Sequence, residues 1–570
     1  MRIQRKHAKI AVWPRTRSPV PTPPFPPTAS TWRHLIDPSL LLALLLLVPL
    51  VFLLPPVPID ETRYLAVAWE MRHGGEFLVP HLNGATYAHK PPMLFWLINL
   101  GWLLTGVHAW TARVMALVCS AASLALMHRL ALRLTHSDQA ARHSVWILLG
   151  AIYFGAFANA IMFDVLLTTC VLLGVHGIVD LAGARLRRGI ALTGGAIGLG
   201  ILVKGPVMLL DVGVVALTAP WWARKALRTR LWRYFGALAL ALLAGAAIAL
   251  AWAIPAALHG GPDYAHAIFL RQTIDRIHGV KGASTHGRPW WWYGIVFPLM
   301  VLPWPLVLRG KLASLRALLA EPAMRLGLAW LVAMLLVFSM IGGKQPHYLL
   351  PAIPPLALIG AVLLDRGGWR VRSGLFALVL GCIGGILAWL PFRAEGDRHL
   401  AAVAGISPWW GVLAAGIGVV LFLATRRRQS LAAPALASLA LVLVVKLAVA
   451  HGTGERYNPQ AVSQVVRSLQ QQGTPLVHMF WHHGVYEFAG RLDKPIPALY
   501  DMESLQRWAA QHPDGMVMSF YPEYRFRARP YFSAPFRGTE VSIWRVGEAI
   551  ASGTDKKVAH SHLDFEPEED

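Results

Sequence analysis

Apolar residues in this chain come in long unbroken runs, not at the alternating spacing of a half-buried strand, and several runs reach the roughly 18 residues that carry a helix across a bilayer. The first, 38–58, opens PSLLLALLLLVPLVFLL. Others follow near 110–132, 143–159, 165–182, 189–203, 206–220, 235–257, 291–308, 326–342, 349–364, 373–391, 408–424 and 430–450. The pattern predicts an all-α polytopic membrane protein with about 13 transmembrane helices. The run 93–107 is apolar but short and follows Pro91-Pro92, so we expect an interfacial helix there. After 450 the spacing becomes that of a small α/β domain, 451–548, with helices over 459–472 and 502–512 and strands over 475–480, 515–520 and 539–545. Both ends lose periodicity. Residues 1–37, with PRTRSPVPTPPFPPTAS, read as a disordered basic arm, and 549–570, ending DFEPEED, as a disordered acidic tail.

Composition agrees with a membrane protein: 55% hydrophobic residues and only 15% charged. A net charge of +23 raises nucleic acid as a partner. The basic residues instead fall in the N-terminal arm and in alternate short loops, such as Arg185, Arg187 and Arg188, or Arg366, Arg370 and Arg372. That is the distribution of cytoplasmic loops, and it excludes a nucleic-acid face. The opposite side then receives the loop 59–109, the tip 159–164, Lys204, the loop 259–289, the segment 344–348 and everything after 450. The first apolar run lacks a small-residue cleavage site and is expected to be retained, so residues 38–450 form one transmembrane domain. Cys119, Cys170 and Cys382 all lie in apolar runs and imply neither a disulfide framework nor a cysteine metal site.

The unusual polar residues gather on that second side, chiefly in 60–96, DETRYLAVAWEMRHGGEFLVPHLNGATYAHKPPMLFW. Ionisable groups beside membrane-grade sequence are costly and point to function. Acids beside cations at a bilayer surface suit a lipid-linked phosphate: Arg63, Lys90, Lys204, Arg271 and Lys344 are candidate clamps for phosphate oxygens. Asp60 and Asp164 are candidates for a general base or for orienting an acceptor, with a helix N-cap as the alternative reading of Asp164. Lys204-Gly205-Pro206 reads as a bend between spans, since it lacks the Walker spacing, and Tyr348 falls at a water boundary. The set His478, His482, His483 and Glu487 matches no zinc spacing, and a packing role is expected.

These stretches also resemble a known family. DETRYLAVAWEM, PHLNGATYAHKPPMLFW, IMFDVLLT, LVKGP, FLRQTIDR before PWWWY, and KQPHYLLPAIPPLAL keep the order seen in GT-C membrane glycosyltransferases of the aminoarabinose transferase and protein O-mannosyltransferase group. The likeness covers roughly 40–365. It implies the GT-C fold and a bacterial inner-membrane, multi-pass enzyme working at the periplasmic face. Such an enzyme moves a sugar from a polyprenyl-phosphate donor to lipid A, another glycolipid or a protein, by inverting displacement. By position, Asp60, Glu61 and Asp164 resemble the family's acids. Arg63, Lys90 and Arg271, assisted by Lys204, resemble its donor-phosphate residues, and Tyr64, Tyr87, Lys344 and Tyr348 its cavity wall. No cofactor is required, and no spacing supports a divalent metal. Ala88-His89 stand where the family often has Phe-Glu. A transporter or flippase, the rival class, predicts charges at span midpoints and paired halves, whereas here they cluster at one face.

Overall fold

The computed structural model describes residues 38–270, 287–394, 405–426, 429–520, 524–536 and 539–554. Every apolar run among them is helical. The series is Pro38–Leu53, Ala109–Thr135, Asp138–Gly150 with Ile152–Phe157, Phe163–Ala182, Leu186–Lys204, Val207–Leu217 and Leu231–His266, then Trp292–Met300 with Trp304–Val307, Pro322–Met340, Ile353–Arg366, Gly374–Ala394, Trp409–Thr425 and Ala432–Thr453. Among the described residues, eight helices are long and apolar enough to cross a membrane. The loop expected from 259 starts later, because the Leu231–His266 helix bends at Gly261 (φ 85°, ψ 176°) before Pro262 instead of ending there.

Three of these helices, Phe163–Ala182, Leu186–Lys204 and Leu231–His266, pack backbone to backbone through small residues. A Cβ on Gly177 would lie 2.3 Å from Thr193 Oγ1, and one on Gly198 would lie 2.6 Å from Ile248 Cβ. Close approach of this kind is what holds helices together in lipid, where apolar burial against lipid tails drives little. At the far end of Phe163–Ala182 from Asp164, buried Asp180 accepts from Arg133 at 2.5 Å and Arg185 at 2.7 Å, which locks the arginine-rich side of the bundle.

The polar stretch after the first span folds as helix Asp60–Gly74, stopped by left-handed Gly75 (φ 71°), and then a hairpin pairing His81–Leu82 with Ala85–Thr86. The turn is Asn83-Gly84, with φ 54° and 79°. Two positive φ values are what a tight hairpin matching strand twist demands. Helix Met93–Thr105 follows. Its 13 residues span about 20 Å, short of the roughly 30 Å hydrocarbon layer. Phe95, Ile98 and Trp102 are buried while Leu103 and Leu104 are 68% and 84% exposed, as an interfacial helix with an apolar outer edge requires.

The α/β domain holds a five-stranded sheet in the order Ala498–Leu499, Leu476–Met479, Met516–Ser519, Thr539–Arg545, Phe532–Phe536. The first three strands run parallel and the last two pair antiparallel. The edge strands Ala498–Leu499 and Phe532–Phe536 were not legible in the sequence, the former because two residues carry no periodicity. The helix Val546–Ser552 carries the domain past 548.

The domain is fastened to the first loop. Trp69 Nε1 donates to Leu492 O at 2.9 Å, Asn83 exchanges hydrogen bonds with the Ile496 backbone at 2.8 and 2.7 Å, and Arg491 donates to Val107 O at 2.8 Å.

His478 and His482 of this domain pack in its interior. His478 is fully buried, its Nδ1 2.8 Å from Phe480 O, and burial pushes its pKa down to about 3. His482 lies 3.3 Å from Glu487; burial lowers the histidine and raises the acid. His478 contributes to the pH slope. A depressed pKa gives stability that is present above the unfolded value of about 6.5 and is lost as pH falls, at about 1.4 kcal/mol per pH unit. Hydrogen exchange of the Leu476–Met479 amides should accelerate accordingly between pH 6.5 and 5.5 after correction for intrinsic rates. His478→Gln should flatten that dependence; an unchanged slope would remove His478 as its source.

Candidate active site

The first turn of helix Asp60–Gly74 brings the polar groups together. Asp60 Oδ1 accepts from Arg63 at 2.6 Å and from the Tyr64 hydroxyl at 3.1 Å, the i+3 and i+4 neighbours on one helix face. Partial enclosure pushes the Asp60 pKa up, but Arg63, His347, Tyr64 and Lys90 outweigh it and hold the carboxyl below its ordinary value. Asp60 is thus an ionised carboxylate paired with Arg63, with Lys90 in its field. Arg63 also lies over the Tyr64 ring, 5.5 Å from its centre, and that ring meets Phe163 edge-on at 4.9 Å. Tyr87 is buried against Phe95 and His89, and Lys90 follows in the same loop.

A second charged pair closes the other side. Asp164, 1% exposed in the first turn of Phe163–Ala182, accepts from Lys204 Nζ, and the Lys204 ammonium also stands 4.5 Å from the centre of the Tyr348 ring. The helix cap is Met162, so Asp164 is no N-cap: its carboxylate faces Lys204. Lys204 reaches this point because Gly205 (φ 76°) ends its helix and Pro206 starts the next, as the bend reading expected. A cation shared between a carboxylate and an aromatic face is well held where water is scarce.

Two of the expected site residues stand elsewhere, and a third is not among the described residues. Glu61, read from sequence as an acid beside Asp60, is turned into the fold. It accepts from Arg113 at 2.7 Å, from the Ile161 amide at 3.0 Å and from the Val57 amide at 2.9 Å, so its oxygens anchor three segments and none faces the cluster. Lys344 is buried, with its amine donating to Arg288 O at 2.9 Å and Ile341 O at 2.5 Å, which pins the 341–345 segment and leaves the cavity wall to Tyr348. Arg271 lies outside the described residues.

Two residues were missed. His347, edge-on to Tyr348 at 4.8 Å, is close enough to Asp60 to lower its pKa. Its place beside Tyr348 in KQPHYLLP was the available signal. Asp211, on Val207–Leu217, is fully buried, and neither carboxylate oxygen has a hydrogen-bond partner among the described residues. It lies in the field of Lys204 and Asp164.

The anchoring role of Glu61 has a measurable signature. Glu61→Gln weakens a buried charge-assisted contact by about 1–3 kcal/mol. The expected result is a lower yield of folded protein with an unchanged turnover per folded molecule; a fall in turnover at normal yield would return Glu61 to the chemistry.

Comparisons with known proteins identify the family. A family model described as dolichyl-phosphate-mannose-protein mannosyltransferase matches residues 89–252. The undecaprenyl phosphate-alpha-4-amino-4-deoxy-L-arabinose arabinosyl transferase 1 of Pseudomonas fluorescens is 30% identical over 475 residues, 80% of this chain and 83% of the relative. The corresponding transferase of Pseudomonas aeruginosa is 31% identical over 424 residues, 70% of this chain and 73% of the relative. A crystal structure of ArnT from Cupriavidus metallidurans bound to undecaprenyl phosphate superposes with a TM-score of 0.71 at 20% identity, covering 90% of this chain and 98% of that one, and so shares the fold. The chain belongs to the aminoarabinose transferase family of GT-C membrane glycosyltransferases.

Proposed function

We propose that this protein transfers 4-amino-4-deoxy-L-arabinose from undecaprenyl phosphate to a phosphate group of lipid A, at the periplasmic face of the bacterial inner membrane. The observation that carries the reading is the Arg63 guanidinium on ionised Asp60, with Lys90 in its field and the Asp164–Lys204 pair bordering it. The arginine-rich loops at the Asp180 end support a cytoplasmic placement for that side and hence a periplasmic one for the site.

In this mechanism an acceptor phosphate oxygen attacks the anomeric carbon as the bond to the donor phosphate breaks, with inversion, and undecaprenyl phosphate departs with the electron pair. Arg63 and Lys90 meet the charge that develops on the departing phosphate, an interaction that strengthens as the bond breaks. Arg271 is assigned to the same phosphate by its place in the sequence motif. A phosphate acceptor is already ionised at neutral pH, so Asp60 orients it through the flanking cations instead of taking a proton. Tyr64, Tyr87 and Tyr348 would wall the donor sugar. The reading invokes no metal, because these side chains supply the cationic charge.

Mass spectrometry of lipid A and envelope proteins, from cells with and without the gene, tests this. Loss of one aminopentose from lipid A is the expected result. Loss of a hexose from protein with lipid A unchanged would replace the reading with a protein mannosyltransferase.

A further inference from the structure

A second feature lies behind the active-site turn and takes no part in the chemistry above. A cavity of about 390 Å³ opens where the end of the first span, the start of Ala109–Thr135 and the α/β domain meet. Its lining mixes apolar and cationic side chains. Phe52, Leu54 and Trp110 come from the end of the first span and the start of Ala109–Thr135, with Phe52 59% exposed and tilted against Trp110 at 5.7 Å. A Trp in this position marks the membrane–water boundary. His108, stacked on Trp110 at 5.5 Å, and Arg467 and Arg491 also line it.

Among the described residues no acidic side chain lines the cavity. Among the described residues neither Arg467 nor Arg491 forms an ion pair. Arg491 is held instead by neutral groups, the carbonyls of Phe488 and Val107 and the rings of Phe488 and Trp69 at 3.8 and 5.5 Å. Partial burial and the Arg467 charge bring its pKa down to about 10. Two guanidiniums converging without a carboxylate, above an apolar lip at bilayer level, form a complement to an anion that carries a hydrocarbon chain.

We infer that this cavity binds the phosphate headgroup of an anionic membrane lipid, with Arg467 and Arg491 on the phosphate and the acyl chain running down over Phe52. The floor of the cavity includes Arg113, whose guanidinium holds Glu61, the residue after Asp60. A lipid here would therefore sit on the back of the active-site turn without entering it. The site is independent of which sugar or acceptor the transferase uses.

The test is lipid retention by the purified full-length protein in zwitterionic detergent, read by native mass spectrometry. The probes are phosphatidic acid, phosphatidylcholine and inorganic phosphate. Arg467 is exposed on helix Gln460–Gln471, so Arg467→Glu leaves the fold intact, which an unchanged melting temperature verifies. The wild type should hold one phosphatidic acid more than Arg467→Glu, whose affinity for that lipid falls about tenfold or more. Arg467→Lys should regain most of it, and Lys90→Ala, on the transfer side, should keep this lipid. Equal retention by wild type and Arg467→Glu, equal binding of phosphatidylcholine, or displacement of the lipid by millimolar inorganic phosphate would each overturn the assignment.

Discussion

Asp60→Asn is expected to reduce sugar transfer by about 10²–10⁴-fold while the protein still accumulates, folded, in the membrane. Asn keeps the shape of the side chain and one oxygen able to accept from Arg63 or Tyr64, so the helix turn built on those contacts survives. What disappears is the negative charge. With it goes the counter-ion that positions Arg63 and, through the shared field, Lys90 and His347. Lowered below the ordinary carboxylate value, the wild-type group stays ionised throughout the neutral range, so its loss should not be rescued by raising the pH. The measurement is transfer from a synthetic polyprenyl-phosphate aminopentose to lipid A by purified enzyme, normalised to folded protein. Wild-type turnover in Asp60→Asn would end the assignment of this acid.

Lys204→Met is expected to damage folding as well as catalysis. The Lys204–Asp164 pair is almost fully buried, and removing one partner of such a pair leaves an uncompensated charge at a cost of about 3–5 kcal/mol. Detergent extracts of Lys204→Met should show a reduced monodisperse peak and a lower melting temperature. The double variant Asp164→Asn with Lys204→Met removes both charges and should recover much of the stability, because the deficit lies in the orphaned charge, not in lost attraction. Transfer should stay depressed by about 100-fold or more in the double variant. A Lys204→Met protein as stable as wild type would contradict the burial argument, and a fully active double variant would take the pair out of the reaction.

The membrane architecture was open to inspection in the sequence because span length and basic-loop alternation are one-dimensional signals. Placing Asp60, Lys90, Asp164, Lys204 and Tyr348 on one side needed only those signals and the motif order. Direction was another matter. Asp60 and Glu61 are adjacent acids at a helix start, and nothing local separates them. Their fates differ because Arg113, 52 positions on, and the Ile161 amide, 100 positions on, claim Glu61. Lys344 likewise reads as a phosphate ligand in sequence, but its ammonium donates to two carbonyls, one of them 56 positions away on Arg288. Asp211 sits inside an apolar helix, where sequence alone does not say whether an acid has found a partner.

The hydrogen bonds joining Asn83 to Ile496, Trp69 to Leu492 and Arg491 to Val107 bear on how this protein can be recombined with its relatives. A crossover placed at the visible boundary near 453, between the last membrane helix and the α/β domain, would mate one parent's hairpin with the other's 491–496 segment. Gly84 makes that junction unforgiving, since a Cβ there would lie 3.2 Å from Pro495 and would require left-handed backbone besides. The heritable module is therefore discontinuous in sequence: 69–84 and 491–496 have to travel together for a chimera to close.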